Sequence, residues 1–139
     1  MNINTEKMEH LYQSIANIVN DMIPEEWEKI LLYAEIREGY KKCFFYYYSP
    51  NSSKYICSLD IPDLFSIDDE EYDTLEDELY NAFLQLQQEV KNQGQEEWTY
   101  LTYTLNHKGK MNIKYSYEDV SEISPVEKQN RWEQGNSLG

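Results

Sequence analysis

Between residues 4 and 23 the apolar positions Met8, Leu11, Ile15, Ile18, Val19 and Met22 recur at helical spacing. This pattern predicts an amphipathic helix over Asn4 to Ile23, with Thr5 as its N-cap and Pro24 as its stop. The period then changes. Glu28 to Arg37 and Tyr40 to Ser49 are rich in strand-forming residues and predict two strands that meet in a tight hairpin around Glu38 and Gly39. A third strand, Lys54 to Leu59, is predicted after the turn Pro50-Asn51-Ser52-Ser53.

Asp60 to Ile67 carries Pro62 and reads as a connection. Tyr72, Leu75, Leu79, Phe83, Leu86 and Val90 then mark the core face of a second long helix, which Gly94 closes. Trp98 to Leu105 and Lys110 to Tyr117 alternate as strands, the second with Met111, Ile113, Tyr115 and Tyr117 on one face. Asn106-His107-Lys108-Gly109 supplies the turn between them. Ser124-Pro125 opens a short terminal helix through Glu133, with the proline at its first position. The order predicts an α+β fold: an antiparallel sheet of about five strands, an N-terminal and a central helix packed on one face, and a short C-terminal helix. Residues 1–134 are expected to form one domain and 135–139 a flexible tail.

Composition narrows the function classes. With 40% hydrophobic and 14% aromatic residues, the chain is too rich in apolar side chains for a disordered acidic tail, despite a mean hydropathy of −0.79. Its 26 acidic and 12 basic residues give a formal charge of −14, a field that repels phosphate backbones and anionic headgroups and favours basic partners. Neither nucleic acid nor membrane is therefore an expected direct partner. Cys43 and Cys57 each sit in an apolar or aromatic run, which predicts buried, unpaired thiols in a reducing compartment. The polar N-terminus lacks the apolar core of a signal peptide and no run of apolar residues is long enough to span a bilayer, so a cytoplasmic protein is expected.

Catalytic and metal-binding signatures are sparse. His10 falls on the polar side of the first helix and His107 in a turn, neither beside a nucleophile motif, and Cys43 next to Phe44 and Phe45 reads as a packed thiol. Two cysteines and two histidines at irregular spacing do not make a structural zinc site. The acids from Asp68 to Asp73 lack the central glycine of a calcium loop, and five unclustered glycines make no phosphate cradle. No cofactor is predicted, and no carboxylate pair stands out as a hydrolytic couple.

Charge is distributed unevenly. Between Tyr55 and Val90 there are eleven acids and no Lys or Arg. Eight of them, Asp68, Asp69, Glu70, Glu71, Asp73, Glu76, Asp77 and Glu78, crowd the start of the central helix. The helix dipole favours acids there, but it accounts for only a few, so the series reads as a docking ridge for a basic partner. Thirteen tyrosines are the other unusual feature. Tyr46, Tyr47 and Tyr48 must alternate between the faces of a strand, one of which is expected to stay exposed. Tyr46, Tyr48 and Trp98 are the expected aromatic centre of a contact surface rimmed by the acids.

Several stretches together resemble the YezG-like immunity family: DMIPEEWEKILLYAEI (21–36), FYYYSP (45–50), SLDIPDLF (58–65), LEDELYNAFLQL (75–86), GQEEWTYLTYTL (94–105) and GKMNIKYSYEDVS (109–121). The likeness spans nearly the whole chain. It implies a non-enzymatic antitoxin that binds the C-terminal nuclease domain of a cognate LXG or type VII-secreted toxin inside the producing cell. The family's usual ending, an Arg-rich stretch before a Trp and a Tyr-Leu-Gly terminus, is only partly kept as PVEKQNRWEQGNSLG. Two readings from other classes compete: an acidic adaptor or DNA mimic that regulates another basic protein, and a small hydrolase built on a carboxylate pair.

Overall fold

A computed structural model describes residues 5–37, 39–50, 52 and 54–136. Asn4, the Thr5 side chain, Glu38 of the first hairpin, Asn51 and Ser53 of the following turn, and tail residues 137–139 lie outside the described residues. The chain runs α1 (Thr5–Met22), β1 (Lys29–Arg37), β2 (Tyr40–Tyr48), β3 (Tyr55–Cys57), a 3-10 turn (Ser58–Asp60), α2 (Ile61–Phe65), α3 (Asp69–Asn92), β4 (Tyr100–Asn106), β5 (Met111–Ser116) and α4 (Pro125–Gly135). It is an α+β fold with one antiparallel sheet in the order β3-β2-β1-β4-β5.

The two predicted hairpins form, with Gly39 and Gly109 at positive φ, a region costly to any residue with a Cβ. At the second turn the Asn106 side-chain oxygen accepts from the amides of Lys108 and Lys110, fixing the chain reversal. The third strand is shorter than its sequence suggests. It ends at Cys57 because Ser58 turns the chain, its hydroxyl accepting from the Phe45 amide at 3.0 Å and its carbonyl from the Tyr72 hydroxyl at 2.6 Å. Further along the same edge, the Tyr80 hydroxyl takes the Cys43 amide at 3.2 Å. Side chains thus satisfy donors of β2 that β3 leaves unpaired. The predicted connection at 60–67 contains α2, five residues opened by Pro62 and ended by Ser66 in the left-handed region, too short to show a helical period.

Alternation divides the sheet into two faces. Ile30, Leu32 and Ala34 of β1, Phe45 and Tyr47 of β2, and Leu101, Tyr103 and Leu105 of β4 pack against Ile15 and Val19 of α1 and Leu79, Phe83, Leu86 and Val90 of α3. This is the main core. Within it the buried Gln87 amide donates to the carbonyls of Ile36 at 3.0 Å and Trp98 at 2.8 Å, tying α3 to the ends of β1 and the approach to β4. On the opposite face Leu31, Tyr33, Phe44 and Tyr46 form a second cluster around Trp132 of α4. The expectation of an exposed tyrosine face is therefore corrected: α4 covers it.

The closure by α4 is made of specific side-chain bonds. Ser124 caps the helix by accepting from the Glu127 amide. Lys128 donates from Nζ to both carboxylate oxygens of the fully buried Glu35, at 3.0 and 3.1 Å, and Glu35 also accepts from the Tyr33 hydroxyl at 2.6 Å and Arg37 Nε at 3.0 Å. The Tyr40 ring lies against both cations, 4.1 Å from the Arg37 guanidinium carbon and 4.5 Å from Lys128 Nζ. Trp132 Nε1 donates to Thr102 Oγ1 at 2.9 Å, Gln129 donates to the Tyr46 hydroxyl at 2.6 Å, and that hydroxyl donates to Glu133.

Candidate partner-binding surface

The acidic series follows from the amphipathic pattern of α3. Tyr72, Leu79, Phe83, Leu86 and Val90 turn inward, so the positions between them in the first turns face solvent. Asp68 precedes the helix; Asp69, Glu70 and Glu71 form its first turn, where the dipole offsets part of their mutual repulsion. Asp68, Asp69, Glu70, Glu71, Asp73, Asp77 and Glu78 are exposed, and Glu76 is half-buried. Burial raises the Glu76 carboxyl above its ordinary range, the neighbouring charges of Asp73 and Asp77 push it further, and Lys42 opposes them. The eight acids thus form a largely open ridge over the start of α3, with Glu76 near enough to Lys42 of β2 to feel its charge.

The three aromatic residues expected at the centre of this surface are not brought together. Trp98 is 1% exposed, inside the α1/α3 core and stacked on Tyr115, whereas Tyr46 is 3% exposed and stacked on Trp132 on the opposite side of the sheet. Both spend their contact area on the fold itself, which corrects their assignment to an accessible centre. Tyr48 is half-buried and meets Tyr55 edge to face with ring centroids 5.9 Å apart.

Two acidic or apolar features were not read from the sequence. Leu59 and Leu64, flanking the start of α2, are 45% and 61% exposed, and with the 38% exposed Tyr55 they line a groove of about 410 Å³ between the β3 edge and α4. Their signal was one leucine at the end of the predicted third strand and one in the connection after it, indistinguishable by spacing from their apolar neighbours Ile61 and Phe65. The other is an open hollow of about 850 Å³ at the start of β1, lined by Trp27 with Glu25, Glu26 and Glu28. Glu25 is oriented there by the Tyr47 hydroxyl at 2.6 Å, and the Trp27 indole donates to Asn20 at 3.0 Å.

Nothing in this geometry assembles a nucleophile. Burial pushes the thiols of Cys43 and Cys57 up, away from the reactive thiolate, and His10 and His107 are exposed on different elements. Among the described residues no group of three or more His, Cys, Asp or Glu side chains is placed to hold a metal, and no helix is long and apolar enough to cross a membrane. The described surface is negative over the start of α3 and leaves Leu59 and Leu64 exposed beside α2.

The family described as "Immunity protein YezG-like" matches residues 8–137. The chain is 39% identical over 132 residues to Immunity protein YezG of Bacillus spizizenii, covering 94% of this chain and 82% of that protein. It is 37% identical over 131 residues to Immunity protein YezG of Bacillus subtilis, with 93% and 87% covered. A more divergent relative is Type VII secretion system protein EsaG of Staphylococcus aureus, 32% identical over 127 residues, with 90% and 78% covered.

Proposed function

The chain belongs to the YezG-like immunity protein family, and from that premise we propose that it neutralises a cognate secreted toxin by binding that toxin's C-terminal nuclease domain in the cytoplasm of the producing cell. The observation that carries the nuclease assignment is the open acidic ridge of α3, eight carboxylates from Asp68 to Glu78 with no basic residue among them. A domain that binds DNA presents a positive groove. A negative ridge of this kind competes for it and accelerates encounter through long-range attraction. The protein acts by occupancy and carries out no chemical step.

Co-expression with the C-terminal nuclease domain of its cognate toxin is expected to rescue growth and yield a co-purifying complex. Absence of rescue would remove the nuclease assignment. Replacing four ridge acids together (Asp69→Asn, Glu70→Gln, Asp73→Asn, Glu76→Gln) should slow association by about tenfold at low salt and flatten its salt dependence, measured by stopped-flow mixing.

A further inference from the structure

Charge on α3 brings a partner close but does not hold it, because exposed ion pairs are screened and contribute little; durable complexes need a desolvated apolar centre. With Tyr46 and Trp98 already buried, that centre has to lie elsewhere. The described large hydrophobic residues that remain exposed are Tyr55, Leu59, Leu64, Leu84, Tyr117 and Val126. The last three lie on separate elements, whereas Tyr55, Leu59 and Leu64 fall within ten residues and line the same groove.

Two properties of the groove define its occupant. Of the polar groups that line it, the Tyr46 hydroxyl is already committed to Gln129 and Glu133, and the Gln129 amide to Tyr46 and Glu133, so these two ask a partner for little hydrogen bonding. Among the described residues its one charged lining group is Asp60, Asp63 is exposed on α2, and the α3 ridge begins at Asp68. Resting on the immunity reading above, we propose that this groove is the anchoring pocket for the toxin domain and takes a large apolar side chain that the partner carries on a basic surface. A second copy of this chain is a poorer occupant, since each copy carries a formal charge of −14 and would bring its own acidic surface to the groove.

The test is calorimetric titration of the full chain with the purified C-terminal nuclease domain of the cognate toxin. Leu64→Ser and Leu59→Ser are the groove variants, and Leu84→Ser and Val126→Ser are controls of equal chemistry elsewhere. The groove variants should each weaken binding by at least about tenfold through faster dissociation, with the controls within about twofold. Leu64 is the most exposed of the three groove residues, so Leu64→Ser should keep the wild-type melting temperature and is decisive by itself if Leu59→Ser does not fold.

If the wild type binds and both groove variants bind within about twofold of it, the pocket assignment is overturned while the immunity reading stands. If sedimentation shows a dimer that Leu64→Ser dissolves without loss of toxin affinity, the occupant is a second copy and the proposal also falls. If the wild-type chain does not bind the domain at all, the nuclease reading fails first and takes the pocket with it.

Discussion

On one face of the sheet α1 and α3 press Ile15, Val19, Phe83 and Leu86 against Ile30, Leu32, Phe45 and Leu101. On the other, α4 reaches neighbouring positions of the same strands through Lys128, Gln129, Trp132 and Glu133 and encloses a carboxylate. The first layer is held by apolar area, which is non-directional and adds up over many residues. The second combines an aromatic cluster around Trp132 with a few directional bonds, of which those to Glu35 enclose a charge. An area-driven layer should lose stability in proportion to the volume removed. A layer built on a buried charge should react severely to the loss of one partner and mildly to the loss of both.

The largest effect is expected from Phe83→Ala, which removes a fully buried ring between α3 and the sheet and should cost about 3–5 kcal/mol in urea unfolding. A cost under about 1 kcal/mol would show that this layer is not a packed core.

Lys128→Met should cost about 3 kcal/mol, the low end for breaking a buried pair, because Arg37 and Tyr33 still bond to Glu35. Adding Glu35→Leu should restore much of that loss, and a double variant no better than the single one would break the contrast between the faces. The same network sets a pH dependence. Burial raises the Glu35 carboxyl, but its bonds from Tyr33, Lys128 and Arg37 outweigh burial, and the net shift is downward from 4.5. Its contribution to stability is therefore complete above the unfolded value of 4.5 and is lost as pH falls through the lower folded value. Unfolding measured between neutral and strongly acidic pH should show this decline, reduced in Lys128→Met.

The smallest effect sharpens the comparison at the half-buried edge of the α3 ridge. The raised Glu76 carboxyl has the opposite sign: its charged form is disfavoured in the folded state, so its unfavourable contribution is relieved as pH falls through the folded value. Glu76→Gln should stabilise the protein by about 0.3 kcal/mol at neutral pH, read as a small rise in urea midpoint. A loss of stability would mean that the carboxylate makes a favourable contact in the fold.

Most elements were legible in the sequence because their signals are local. Met8 to Met22 announces α1 by its period, and Tyr72 to Val90 announces α3. β1 held a further signal that went unused: ILLYAEI is almost continuously apolar, as expected of a strand covered on both faces, and it is buried throughout. The acidic ridge was equally legible, since an amphipathic helix must turn its charged positions outward. The groove beside α2 was not, because Leu59 and Leu64 look like core residues until the fold leaves them exposed.

The local pattern of the chain by itself determined the long helices, the two hairpins, the antiparallel class of the sheet and the location of the negative charge, because each depends on residues a few positions apart; α2 and the end of β3 it did not. Only the tertiary structure decided that α4 closes the second sheet face and buries Tyr46, and that Lys128 meets Glu35 across 93 residues. It also decided that Trp98 belongs to the core. The physical reason is that burial of an aromatic ring or a charge depends on which distant element docks over it, and that choice is made by the balance of packing and paired charge across the whole chain.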